Sequence, residues 1–234
     1  MRRKSAAIIW VFVCLVFAPS FFCQPSVAVV REPSQKCPIQ LQEKWVLAYA
    51  SDFSEDTLRP EWVVTAGNAL VSQGVLVLRS DKADAEIILK EPCFSSPSVR
   101  MELSAYVPDY AKLSEISPFL NSNYGSLGET RGCSGSYLFQ FGSEQDTTNR
   151  LRRVGKIVEE TVNNKVLLKR HHLYHIVAEN DCGHIRLEID GTTIFEWNDA
   201  KPIWGPEHCH VGFYTSESVI IVEWVKIYHK VAKP

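Results

Sequence analysis

The chain has 234 residues, with 25 Lys and Arg against 27 Asp and Glu and a formal net charge of −2. Without residues 1–28, read below as a leader, Arg2, Arg3 and Lys4 are lost and no acid is. That leaves 22 basic against 27 acidic residues, net −5, which argues against nucleic acid as a partner because its phosphates need a basic face.

The first element is a targeting segment. Arg2, Arg3 and Lys4 precede an apolar run over residues 6–22, and Ser26-Val27-Ala28 supplies the small residues that a signal peptidase reads. The run is short for a bilayer span, and Phe22 is too bulky to precede a lipidated Cys23. A cleaved signal over residues 1–28 is expected. The mature protein is then secreted, periplasmic or held in the cell envelope, with no transmembrane segment. Residues 29–43 are polar, with Pro and Gln, and read as a leader to one domain over residues 44–234.

From Trp45 the pattern is strand after strand. WVLAYA, GVLVLRS, AEIILK, SVRMELSAY, SYLFQFG, KIVEETV, YHIVAEN, HIRLEID, HVGFYT and VIIVEWVKIYH are short and rich in β-branched and aromatic residues. Turn formers separate them, among them Gln73-Gly74, Asn163-Asn164, Asp181-Cys182-Gly183 and Asp190-Gly191. Residues 107–134 read as a long irregular connection, with helical turns expected near residues 109–116 and Tyr110, Phe119 and Tyr124 on an aromatic rim. No segment sustains a 3.6-residue apolar period. An all-β antiparallel sandwich follows. In SVRMELSAY, Met101, Leu103 and Ala105 should face inward and Glu102, Ser104 and Tyr106 outward. In HIRLEID, Ile185, Leu187 and Ile189 should face the core.

Five cysteines remain beyond the leader: Cys37, Cys93, Cys133, Cys182 and Cys209. In an exported chain they are disulfide candidates, and an odd count leaves one thiol over. A Cys182–Cys209 bridge is expected from their places in turns beside neighbouring strands.

The stretch LYHIVAENDCGHIRLEIDGTTIFEWND is similar to the W-H-x-V-x-x-x-x-x-G-x-I-x-L-x-V-D-G-x-x-V unit of concanavalin A-like lectin/glucanase sandwiches. Tyr174 stands where Trp is usual, and His175 matches the His. FSEDTLRPEWVVTAGNALVSQGVLVL resembles the opening of that superfamily, and HVGFYTSESVIIVEWVKIYH its closing pair. The likeness spans residues 51–229 and implies a jelly-roll sandwich. In flavour it is nearest to secreted 3-keto-disaccharide hydrolase-like domains, which implies action on, or binding of, glycosides on a concave sheet face. The glucanase pattern E-x-D-x-x-E is absent. The resemblance also implies room for a structural calcium, with Asp52 and Asp199 as ligands; no other cofactor is expected.

Hydrolysis of a glycoside needs two carboxylates across a cleft. Glu102 and Glu223 are the catalytic candidates, each on a strand with its side chain aimed away from the core. For binding, Gln140 interrupts an aromatic strand and should face away from Tyr137, Phe139 and Phe141. Asn149, Arg150 and Arg152 follow it, with Tyr106 and Tyr124 as aromatic planes. Amides and guanidinium groups bond hydroxyl pairs, and rings cover the apolar faces of sugars. Equally, Arg150 and Arg152 could be outward residues of a hairpin strand balanced by Glu159 and Glu160. The histidines of KRHHLYH (His171, His172, His175) and EHCH (His208, His210) lack matching ligands for a metal.

Three functions remain open: a glycoside hydrolase of the 3-keto type, a carbohydrate-binding module, and a structural or adhesive envelope domain linked through the odd cysteine. Two carboxylates in one cleft favour the first. Amides and aromatics in a cleft with one carboxylate favour the second. A solvated or loop-covered Gln140 face favours the third.

Overall fold

The computed structural model describes residues 43–125, 131–162 and 166–232. The signal expected over residues 1–28, the leader expected up to residue 42 and the expected Asn163-Asn164 turn lie outside the described residues. The described chain forms fifteen strands: β1 (Glu43–Ser51), β2 (Trp62–Ala66), β3 (Asn68–Ser72), β4 (Val75–Arg79), β5 (Asp84–Leu89), β6 (Ser98–Tyr106), β7 (Ser117–Ser122), β8 (Tyr137–Gly142), β9 (Thr148–Arg153), β10 (Lys156–Val162), β11 (Tyr174–Asp181), β12 (His184–Ile189), β13 (Thr192–Asn198), β14 (His210–Ser216) and β15 (Val219–Ala232). One short helix, α1 (Ser143–Asp146), joins β8 to β9.

Two antiparallel sheets result. The first runs β13-β12-β11-β6-β15-β4-β3, with β1 also pairing β15; the second runs β10-β9-β8-β7-β14-β5-β2. Their inward faces make the core. Met101, Leu103 and Ala105 of β6 and Ile185, Leu187 and Ile189 of β12 are fully buried, as their alternation predicts. Facing them, Tyr137, Phe139 and Phe141 of β8 are equally buried. Rings lock across the gap between sheets: Phe139 stacks with Phe195 at 6.3 Å, and Phe141 meets Tyr174 edge-on at 4.9 Å. Each such side chain contributes roughly 1.5–3 kcal/mol by leaving water.

The hairpin at Asp190-Gly191 forms where its turn chemistry puts it, with φ of 49° and 76°, the left-handed pair that suits strand twist. Two expectations for residues 107–134 fail. No helix forms at residues 109–116. Inside the supposed irregular connection lies β7, a fully buried strand between β8 and β14. Pro118 cannot donate to a ladder, yet it sits in this strand opposite Phe213 of β14.

The disulfide expectation also fails. Cys209 is bridged to Cys93, with Cα atoms 4.9 Å apart, and Cys182 is bonded in a different bridge. Cys182 turns β11 into β12 in the eight-stranded sheet, whereas Cys209 precedes β14 in the other sheet, so the two are not neighbours. Among the described residues Cys133 is the free thiol.

Candidate functional site

The outward face of the seven-stranded sheet gathers the polar groups. Strand alternation places them there: Asp84, Glu86 and Ile88 on β5, Tyr214 on β14, Ser117 and Phe119 on β7, Leu138 and Gln140 on β8, and Arg150 and Arg152 on β9. Glu115 joins them from just before β7.

A relay runs across β9, β8 and β7. Arg152 Nε donates to Gln140 Oε1 at 2.6 Å. Gln140 Nε2 donates to Glu115 Oε1 at 3.1 Å, and Ser117 Oγ donates to the same oxygen at 2.6 Å. Burial pushes the Glu115 carboxyl up from its ordinary pKa, and the donors Ser117 and Gln140 with nearby Arg152 offset this only in part. On the far side of β14, Asp84 accepts from Tyr214 Oη at 2.7 Å, Ser216 Oγ at 3.0 Å and Arg131 Nη2 at 2.9 Å. Burial opposes ionisation of Asp84, but these donors together outweigh it and hold its pKa below the usual carboxylate value. The face therefore carries one carboxyl shifted towards its protonated form and one towards its ionised form. The backbones that carry them lie two strand spacings apart, about 10 Å.

A short segment covers the centre of this face. Glu86 is fully buried and accepts from the backbone N–H groups of Gly132 at 2.8 Å and Cys133 at 3.0 Å, and from Thr65 Oγ1 at 2.6 Å. That draws residues 131–136 over Ile88, Phe119 and Leu138, the small apolar cluster of the outward face. Gly132 is required by close approach: a Cβ there would stand 2.8 Å from Ile88 and 2.9 Å from Phe119. Burial, and then the Glu86 charge, push the Cys133 thiol far up, so it stays protonated. The β9–β10 end is more open, with Ile157 exposed beside Arg152 and Arg150 paired to Glu160.

The predicted residues divide between the two sides of the sandwich. Gln140, Arg150 and Arg152 share the face just described, and Tyr124 packs onto its apolar cluster with its ring 6.1 Å from His210. Glu102, Glu223 and Tyr106 lie on the outward face of the eight-stranded sheet. There Glu102 pairs with Arg100 at 3.5 Å, and Tyr106 meets His171 edge-on at 6.0 Å. A bulge between Val222 and Trp224 lets Glu223 accept from Ser104 Oγ at 3.3 Å. Neither glutamate can act on a ligand held by Gln140, because the core lies between them. Asn149 belongs to neither face. Alternation turns it away from Arg150 and Arg152, and it is buried, accepting from Gly142 N–H at 3.1 Å and donating to the Val166 carbonyl at 3.4 Å.

Glu115, Asp84, Glu86, Tyr214 and Arg131 were not foreseen. The signal that singled out Gln140, a polar residue inside an apolar strand, was equally present for Glu86 in AEIILK. Asp52 and Asp199 are engaged within the protein. Asp52 accepts from Ser54 at 2.7 Å, and Asp199 accepts from Tyr137 Oη at 2.7 Å and from Arg153. No group of three or more His, Cys, Asp or Glu among the described residues is arranged to hold a metal, and no helix among them is long and apolar enough to cross a membrane.

No protein-family model and no curated protein matches the sequence. Solved structures do match the fold. The carbohydrate binding module CBM66 from Bacillus subtilis aligns at 14% identity and TM-score 0.55, covering 69% of this chain and 91% of its own. The laminarinase from Rhodothermus marinus aligns at 13% identity and TM-score 0.57, covering 81% and 99%. The metal-free exoplasmic/lumenal domain of VIP36 aligns at 11% identity and TM-score 0.60, covering 80% and 95%. With two antiparallel sheets in the order given above, the chain has the concanavalin A-like lectin/glucanase sandwich fold.

Proposed function

We propose that this is an exported carbohydrate-binding domain whose ligand lies on the outward face of the seven-stranded sheet, at its β8–β10 end. The observation that carries the reading is the Arg152–Gln140–Glu115 relay. Buried Gln140 spends its amide on Glu115 and Arg152, and so fixes the Arg152 guanidinium at the edge of the covered segment. Among the described residues Nη2 of Arg152 has no partner and is available to a sugar hydroxyl. The exposed side chain of Ile157 offers apolar surface next to it, as a saccharide site requires. The fold is one used by a carbohydrate binding module and a laminarinase, and disulfides suit an oxidising compartment.

The test is a glycan array followed by calorimetry on the mature domain. Arg152→Ala and Gln140→Ala should each weaken the best saccharide about tenfold or more, since the first removes the donor and the second releases the guanidinium that Gln140 holds in place. Glu102→Gln, on the other side of the sandwich, should leave affinity unchanged. Absence of binding to every saccharide on the array would sink the reading.

A hydrolytic version has one observation in its favour, the opposed pKa shifts of Glu115 and Asp84 on one face. Such a pair suits a proton donor and a base. Release of reducing sugar that Glu115→Gln abolishes would establish it; binding without any product supports the module reading.

A further inference from the structure

Three segments meet at the β3–β4 side of the eight-stranded sheet: the turn after β4, the chain after β6, and the turn between β14 and β15. Backbone hydrogen bonds tie them together. Ser80 N–H donates to the Ser218 carbonyl at 3.0 Å, Glu217 N–H to the Ala83 carbonyl at 2.7 Å, and Leu113 N–H to the Glu217 carbonyl at 3.3 Å. Between them lies an open groove of about 230 Å³.

Its lining is unusual in two respects. Tyr110 is 72% exposed, the most exposed of the large hydrophobic side chains among the described residues, and it has no ring or hydrogen-bond partner among them. The charges beside it cancel: Lys112 pairs with Glu217, and Arg79 with Asp81 at 3.4 Å. The groove thus presents a bare aromatic ring flanked by two donors and two acceptors with no net charge.

We infer that this groove binds a neutral pyranose sugar, its apolar face on the Tyr110 ring and its hydroxyls bonded to Arg79, Asp81, Lys112 and Glu217. An anionic ligand would have to displace Glu217 from Lys112 or Asp81 from Arg79, exchanging one ion pair for another with no net gain. A purely apolar one would strip water from four charges and return no hydrogen bond. A neutral sugar does neither, because each hydroxyl both donates and accepts. The groove flanks the sheet opposite the one bearing Arg152, so it is a second site that does not depend on the first.

The experiment is a titration of the ¹⁵N-labelled mature chain with the methyl glycosides of glucose, galactose and mannose, and with glucuronate as the anionic control. At least one neutral glycoside should shift the amides of Tyr110, Lys112 and Ser218. Tyr110→Ala should weaken that binding tenfold or more, while Tyr110→Trp keeps it; the ring is exposed, so neither change should unfold the domain, which circular dichroism checks. Shifts confined to Gln140 and Arg152 would overturn the inference while leaving the binding face proposed above intact. It also fails if Tyr110→Ala binds as well as the parent, if glucuronate binds more tightly than the neutral sugars, or if no glycoside shifts these three amides.

Discussion

Glu115 shows how an outward-facing side chain can behave as a core residue. Its carboxyl is buried under its own hydrogen bonds, and burial raises its pKa above the ordinary value of 4.5. The folded state therefore holds this proton more tightly than the unfolded chain. The stabilisation is fully present below the unfolded pKa and is lost as pH rises through the folded one. Glu115→Gln, isosteric with the protonated form, does not titrate. In urea unfolding the wild type should lose stability relative to this variant as pH rises above the ordinary carboxyl value of 4.5; a difference independent of pH would show that Glu115 is not raised. The residue escaped notice because nothing in LSEISPFL marks it. Its role comes from Gln140, 25 positions away, and a single strand pattern carries no such long-range pairing. Gln140 itself was legible, since alternation alone sets it against the aromatic face of β8.

The hairpin between β9 and β10 shows what turn chemistry can and cannot announce. It turns at Val154-Gly155, with φ of 47° at Val154, a left-handed conformation that a β-branched residue rarely adopts. Val154 is also exposed, so its side chain gains little from packing. Val154→Asn should stabilise the domain by about 1 kcal/mol, because Asn tolerates that region and suits such a turn; urea midpoints would measure it. Asp190-Gly191 was readable because its residues match its conformation, whereas Val154-Gly155 hides behind a residue that does not. The same conflict concealed β7. Pro118 speaks against a central strand, and only pairing to β8 and β14 overrides it. Strands such as β6, β8 and β12, whose local pattern agrees with their burial, were read correctly.

Across the whole molecule, Cys93–Cys209 closes a sequence separation of 116 residues. It ties the chain that leaves β5 to the chain that enters β14, and these two strands pair within the seven-stranded sheet. A loop of that length constrains the unfolded chain by about 4–5 kcal/mol in the entropic picture. Replacing both cysteines with serine should lower the melting temperature by about 10 °C or more, given about 2–4 °C per kcal/mol at this size. Calorimetry of the double variant tests it, and a shift of only a degree or two would mean that sheet pairing already holds the two segments.

Strand β15 pairs with β4 through Val219–Val222 and with β1 from Val225 to Ala232. The β1 pairing starts with Glu43 opposite Ala232, so residues 43 and 232 leave the sheet side by side. A pull on those two points loads the rungs one after another, as in a zipper, and not all together in shear. Near the opening end Trp45 lies between Arg100 at 4.8 Å and Lys230 at 5.2 Å. The domain should peel open at modest force in a single-molecule experiment, and Trp45→Ala should lower the first rupture further.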